Sequence, residues 1–317
     1  MVNVRGVGEN DDIRKEIAEF TREHRAKGTN EQYKKQQENY INWCKERQID
    51  WEKGRAEMLC KYLMHKHREG RWKSEAAFNT ARSAISDMYK HEEGTTGTLG
   101  EHRLVQEVMK VIKKTAPEKK EKKAFTVEHF RQIFKHVNVN DFVMVRNYLM
   151  MLLMYAMGRR GVEATRLRKA EVVADDEKRM LIVTHTPAKQ KERKRMITPI
   201  AYATENGFMD VGKWHKIYTR LREGKPESPY YFQLDTGKQM NTNTVRQAYK
   251  ALFEKAGMDF TGYGAHSARV GAATAMAEAG ATGEEIDEHC TWVGETRKRY
   301  VKRSTENKAR ATRHLDK

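Results

Sequence analysis

The chain has 317 residues, enough for one large domain or two of medium size, and its 61 Lys and Arg against 44 Asp and Glu leave a formal net charge of +17. So basic a balance points to an acidic polymer as partner, nucleic acid first. A membrane role is not expected, because no apolar run reaches the roughly 20 residues of a span and no basic helix carries a bulky apolar face.

The opening "MVNVRGVGENDDIRKEIAEF" lacks the apolar core of a secretory signal, so an intracellular protein is expected, nuclear if the host is eukaryotic. Cys44, Cys60 and Cys290 stand too far apart for a metal site or a disulfide framework. Few prolines and many Lys, Glu, Ala, Met and Arg favour helix over strand.

Residues 12–115 read as a bundle of short amphipathic helices. "TNEQYKKQQENYINWCKERQI" has a Thr29/Asn30 cap and a stripe of Tyr33, Tyr40, Ile41 and Cys44. "RAEMLCKYLMHKHREG" carries Met58, Leu59, Tyr62 and Leu63 and stops at Gly70. "SEAAFNTARSAISDMYKHEEG" starts on Ser74 and presents Phe78, Ala81, Ile85, Met88 and Tyr89, and "EHRLVQEVMKVIKK" presents Leu104, Val108, Val111 and Ile112. At residues 116–125 the apolar positions give way to lysine. This is the best domain boundary in the chain, a basic linker whose Lys119, Lys120, Lys122 and Lys123 suit either bulk solvent or a phosphate backbone.

Residues 126–304 form the second domain. A helix begins at Thr126, and the apolar "YLMMLLMYAMG" reads as a buried one. The run from Arg179 to Ile200 reads as a hairpin around a charged turn, and helices resume with "VGKWHKIYTRLREG", "NTNTVRQAYKALFEKAG", "AHSARVGAATAMAEAG" and "TGEEIDEHCTWVGETRKRYVKRS". The fold class is therefore mainly α with one small antiparallel sheet. Residues 305–317 are a basic tail of weak apolar content, in which Leu315, with Val301 just before it, is the main apolar residue.

Four places hold polar residues that packing alone does not require. "YAMGRRGVEATRLRKAEV" breaks one helix at Gly158 and starts another near Gly161, leaving Arg159 and Arg160 at the junction and Glu163 a turn later, an arrangement a local ion pair would also explain. The hairpin turn carries Lys189, Lys191, Arg193, Lys194 and Arg195. "AHSARVGAATA" puts His266 and Arg269 on one helix face, and "TWVGETRKRYVKRS" spaces Trp292 and Tyr300 eight residues apart.

In that order, behind a helical prefix, these boxes resemble the tyrosine recombinases over most of the chain, from about Thr29 to Ser304. "GRRGVEATRLR" resembles the box Gly, any residue, Arg, two residues, Glu, and "AHSARVGAATAMAEAG" the box of the second arginine. Within the family the boxes look most like those of the DIRS and Crypton elements of eukaryotes. The segment before Trp292 lacks the usual Leu-Gly or Gly-Arg.

The resemblance implies a helical core-binding bundle followed by a catalytic domain, the two clamping double-stranded DNA, with dimers to tetramers forming on it. It implies attack by the Tyr300 hydroxyl on a phosphodiester to give a 3′-phosphotyrosine, with no metal and no cofactor. Arg160 and Arg269 would fork onto the phosphate oxygens, and Glu163 would orient an arginine. His266 would take the tyrosine proton or bond the phosphate, and Trp292 would offer its indole N–H. Lys191, or Lys189, would protonate the leaving 5′ oxygen; an interval of eight residues back from Pro199 favours Lys191, and place in the turn favours Lys189. Lys119, Lys120, Lys122, Lys123, Arg193 and Lys194 would contact the DNA backbone. A silent relative that only binds DNA, and a type IB topoisomerase or telomere resolvase, are the alternatives.

Overall fold

The structure is a computed structural model that describes residues 25–90, 98–117, 122–186, 195–203, 207–292, 296–297 and 301, with a few positions before 25. The chain divides into two units, residues 1–119 and 120–317. Tyr300, Lys189, Lys191, Arg193, Lys194, Lys119 and Lys120 lie outside the described residues, as does Leu315.

The first unit contains α1 (Lys27–Lys45), α2 (Ala56–Arg68), α3 (Glu75–Met88) and α4 (Arg103–Thr115). Aromatic rings meeting edge to face form its centre: Trp43 lies 5.3 Å from Tyr62, Tyr62 5.9 Å from Trp72, and Trp72 5.0 Å from Phe78. On α1 the buried stripe is Tyr40, Trp43 and Cys44, so Trp43 takes the place expected of Ile41. That helix begins earlier than its Thr29/Asn30 signal, and Asn30 Nδ2 instead donates to the carbonyl of Arg22 at 2.7 Å. On α4 two apolar stripes interleave one residue apart. Packing selects Val105, Met109 and Ile112, and leaves Leu104 and Val111 exposed. Gly70 ends α2 with φ +66°, as its position after the last apolar residue implied.

In the second unit α5 (Val127–Phe134) opens on Thr126, whose amide donates to His129 Nδ1 at 3.0 Å. Then α6 (Phe142–Ala156), capped by Asp141, buries twelve of its fifteen residues, which makes it the axle of the unit. α8 (Val211–Glu223), α9 (Thr242–Lys255) and α10 (Ser267–Glu278) pack around it. Between them α7 is a single turn, Gly161–Ala164, shorter than the helix expected from "GVEATRLRKAEV". The rest of that stretch is a turn and a short 3-10 helix, Lys169–Glu171, and its last residue, Val172, opens a strand.

Three strands form one antiparallel sheet in the order β1 (Val172–Asp175), β2 (Met180–His185), β3 (Met196–Ala201). The hairpin of β2 and β3 was expected and β1 was not. Four residues with two adjacent valines are too short a run to declare a strand without the partner beside them. Register pairs Leu181 with Ile200, Val183 with Thr198 and His185 with Met196. Alternation therefore sends Leu181, Val183 and His185 to the buried face.

Extended residues before α5 hold the second unit's closing helices. Lys123 N–H donates to the Gly262 carbonyl at 3.0 Å and Phe125 N–H to that of Ser267 at 3.1 Å. α10 lies so close to this segment that a Cβ on Gly271 would stand 2.1 Å from the Phe125 carbonyl oxygen. α11 (Gly283–Cys290) then stops at Thr291, whose φ of 52° is left-handed, so the long helix expected to run on toward Ser304 ends here. Val301 packs against the buried cluster of Ala273, Ile286, Cys290 and Trp292 of its own chain.

Candidate active site

The junction of α6 and α7 positions the first arginine. Gly158, at φ +60°, ends α6, and a Cβ there would meet Cys290 Sγ at 2.7 Å, so only glycine lets α6 and α11 close on each other. Arg160 follows as the N-cap of α7. Its amide donates to Glu163 Oε2 at 3.0 Å and its guanidinium stands 3.6 Å from Glu163 Oε1. Gly161 allows close approach again: a Cβ there would stand 3.0 Å from that of Ala265. The first box and the lead into α10 thus meet through glycine.

Arg269 is fully buried in the first turn of α10, where it donates to the Gly158 carbonyl at 3.0 Å. Its guanidinium lies over the Trp292 ring, 4.8 Å from the centroid. Burial first, and then the like charges of Arg160 and Arg159 against the opposite charge of Glu163, push its pKa down to about 10. Arg160 and Arg269 therefore lie near enough for their charges to repel, and both feel the Glu163 carboxylate. Among the described residues, that one carboxylate faces three guanidiniums. Positive charge therefore outweighs negative charge around Glu163.

His266 is the N-cap of α10 and is exposed, although the sequence puts it on one helix face with the buried Arg269. The helix explains the difference: the N-cap residue leaves the backbone just before the first turn, so its ring faces outward while Arg269 points into the core. Glu163 is buried. Trp292 is buried under Arg269 with its amide bonded to the Asp287 carbonyl at 2.7 Å. The missing Leu-Gly before it is answered by Thr291, which supplies the left-handed turn that glycine would adopt without strain. Exposed Lys122 and Lys123 flank this region, with Lys123 Nζ 5.4 Å from the Tyr263 ring centroid. So Arg160, Arg269, Glu163 and Trp292 lie together, His266 is exposed at the start of α10, and Lys122 and Lys123 are exposed on the segment bonded to the loop before it.

Sequence reasoning singled out Arg159 without giving it a role, and missed the residues around it. Arg159 donates from Nη1 to Thr291 Oγ1 at 2.7 Å and from Nη2 to Thr198 Oγ1 at 3.3 Å, and burial lowers its pKa. His185, the last residue of β2, is also buried, and burial together with the Arg159 charge pushes its pKa down to about 4. The period of two along β2 could have placed His185 on the inner face. Nothing in the sequence could have brought Thr198 and Thr291 to one guanidinium. Cys290 lies among the arginines as a thiol whose pKa burial pushes up to about 11. His289 donates from Nε2 to the Ala156 carbonyl at 2.8 Å. Among the described residues no group of His, Cys, Asp and Glu is arranged to hold a metal ion, and no helix is long and apolar enough to cross a membrane.

Residues 123–306 match the phage integrase family, which takes in the sheet, both arginine boxes and Tyr300. The chain belongs to the phage integrase family. Its fold is that of the family's catalytic domains: it is similar to a lambda integrase dimer bound to a COC′ core site, at 14% identity over 92% of this chain and 93% of that one, TM-score 0.62. It is similar also to the XerH site-specific recombinase bound to palindromic difH substrate, at 16% identity over 82% and 70%, TM-score 0.61. A third likeness is to the Tn1549 transposon integrase in complex with circular intermediate DNA, at 15% identity over 82% and 84%, TM-score 0.56. At such identities the likeness is one of fold. No curated protein sequence matches the chain.

Proposed function

We propose that this protein is a site-specific tyrosine recombinase that cleaves and rejoins double-stranded DNA through a 3′-phosphotyrosine on Tyr300. The observation that carries the reading is that Arg160, 3.6 Å from Glu163, and Arg269, over the Trp292 ring, come from separate elements and lie near enough for their charges to interact. Two guanidiniums so placed neutralise the charge that builds on the non-bridging oxygens as phosphorus becomes pentacoordinate. Their planar forks also fix the phosphate's orientation, which a lysine could not. In this reading His266, exposed at the start of α10, takes the tyrosine proton or bonds the phosphate.

The tyrosine, with an ordinary pKa near 10, needs that help to attack at neutral pH. Lys191, ahead of Lys189, is the proton donor to the departing 5′ oxygen in this reading. Because the phosphotyrosine conserves the energy of the broken bond, a 5′-hydroxyl from another strand reverses the step, which turns cleavage into exchange. Dimers to tetramers on DNA are the working assembly, and Lys119, Lys120, Lys122, Lys123, Arg193 and Lys194 hold the backbone, so affinity falls steeply with salt. A kinship with DIRS and Crypton recombinases rests on the boxes around His266 and Tyr300 alone.

The test is a set of duplexes from the DNA flanking the gene, each nicked so that the cleaved strand diffuses away. A covalent adduct is expected with the wild type and none with Tyr300→Phe, and Arg160→Ala or Arg269→Ala should slow it by roughly 10²-fold or more. Binding with no adduct on any fragment supports the silent DNA-binding alternative and ends the enzymatic reading.

A further inference from the structure

The box around Arg160 leaves its preceding position open, and this chain places there a second arginine that is only 1% exposed. A guanidinium withdrawn from water is costly, and an apolar side chain of similar volume would fill the same space more cheaply. What the arginine adds is a pair of bonds to two elements far apart in the chain. One goes to Thr198, on the buried face of β3 opposite Val183. The other goes to Thr291, the left-handed residue that turns the end of α11 into Trp292. A β-branched residue held at φ 52° persists only where its surroundings determine it, and the short bond from Arg159 is such a constraint. The charge of Arg159 is also felt at His185, where β2 ends, and at Arg269.

We propose that Arg159 is a positioning residue that ties β3 of the β2–β3 hairpin to the chain reversal at Thr291, so that the hairpin, Trp292 and Arg269 keep one mutual register. The inference rests on the recombinase reading above, since register matters most where several groups must act on one phosphate. A planar fork is needed because the two hydroxyls lie on different elements. Lysine offers a single ammonium and cannot hold both in this geometry.

The full chain is compared with Arg159→Met, Arg159→Lys, Thr291→Val and the Arg159→Met/Thr291→Val double variant. Three quantities are measured: duplex binding, the rate of adduct formation on the nicked duplex, and backbone amide exchange. Arg159→Met should bind within about threefold of wild type yet form adduct roughly a hundredfold more slowly, the scale of a misplacement of about 1 Å. Arg159→Lys should do no better, and adding Thr291→Val to Arg159→Met should cost nothing further, because both remove the same tie. Amides at 196–201 and at 291–292 should exchange faster together in Arg159→Met. Wild-type cleavage by Arg159→Met overturns the inference and leaves the recombinase reading standing. Faster exchange confined to residues 156–163 overturns it whatever the activity, and so does a loss of binding and protection spread over the whole unit, which marks a role in folding alone. If the wild type forms no adduct, the recombinase reading falls, and the paired exchange at 196–201 and 291–292 still decides for or against the tie.

Discussion

Glutamine in place of Glu163 removes one negative charge and almost no volume from the point where three guanidiniums converge. The amide oxygen of glutamine can still accept from the Arg160 backbone N–H, now bonded to Glu163 at 3.0 Å, so the turn of α7 keeps its cap and the change isolates the charge. At 3.6 Å and an effective dielectric near 20, the Arg160–Glu163 attraction is about 5 kcal/mol. The Arg160 side chain retains 15% of its exposure, so water screens part of this. Breaking a buried pair costs about 3–5 kcal/mol, and partial exposure puts Glu163→Gln near 3 kcal/mol. In a unit spanning residues 120–317, where each kcal/mol moves Tm by about 2–4 °C, the expected loss is about 6–12 °C. The assay is thermal unfolding with and without sulfate. An anion entering the pocket replaces the missing charge, and a ligand at a hundred times its Kd contributes about 2.7 kcal/mol, so the variant should regain most of its loss and respond to sulfate more than the wild type does. A variant melting within about 2 °C of wild type, or responding no more strongly to sulfate, refutes the view of Glu163 as the counter-charge of an anion pocket.

Gly271→Ala would set a Cβ 2.1 Å from the Phe125 carbonyl oxygen and 2.9 Å from the Tyr155 ring, and backbone cannot yield as a side chain does. A loss of at least about 3 kcal/mol is expected by denaturant unfolding, and a loss under about 1 kcal/mol would show that α10 does not lie so close. His185 gives a pH signature. Its folded pKa of about 4 lies below the ordinary 6.5, so between those values the unfolded chain binds a proton that the folded chain refuses, and stability falls as pH drops from 6.5 toward 4. The full effect of that gap is about 3 kcal/mol, and His185→Leu should flatten the acid limb of the stability curve by that order while the limbs coincide above pH 7. Parallel acid limbs in the two proteins would refute it.

Legibility in the sequence followed the range of the interaction that decides each feature. Apolar periodicity is local, so helices such as α6, α8 and α9 could be read directly from it, and Thr126 announced α5 through a cap three residues long. Where two local solutions compete, only packing chooses between them. α4 offers interleaved stripes, and the bundle takes Val105, Met109 and Ile112 over Leu104 and Val111. β1 is weaker still, because its hydrogen bonds belong to β2. The candidate site divides along the same line. Arg160, Glu163 and Arg269 stand at spacings that a family motif preserves, whereas the exposure of His266 follows from the N-cap geometry of α10.

Arg159 marks the far end of that scale. A motif holds the positions that every member must share, and a position it leaves open is one where a chain is free to solve a problem of its own. Here the problem is visible in Thr291: without glycine, the reversal before Trp292 requires a strained residue, and a strained residue requires a bond to hold it. The same arginine reaches Thr198, so the constraint on the reversal is shared with the hairpin. The departure at Thr291 and the buried charge at Arg159 are therefore two halves of one arrangement, 132 residues apart in sequence and 2.7 Å apart in space.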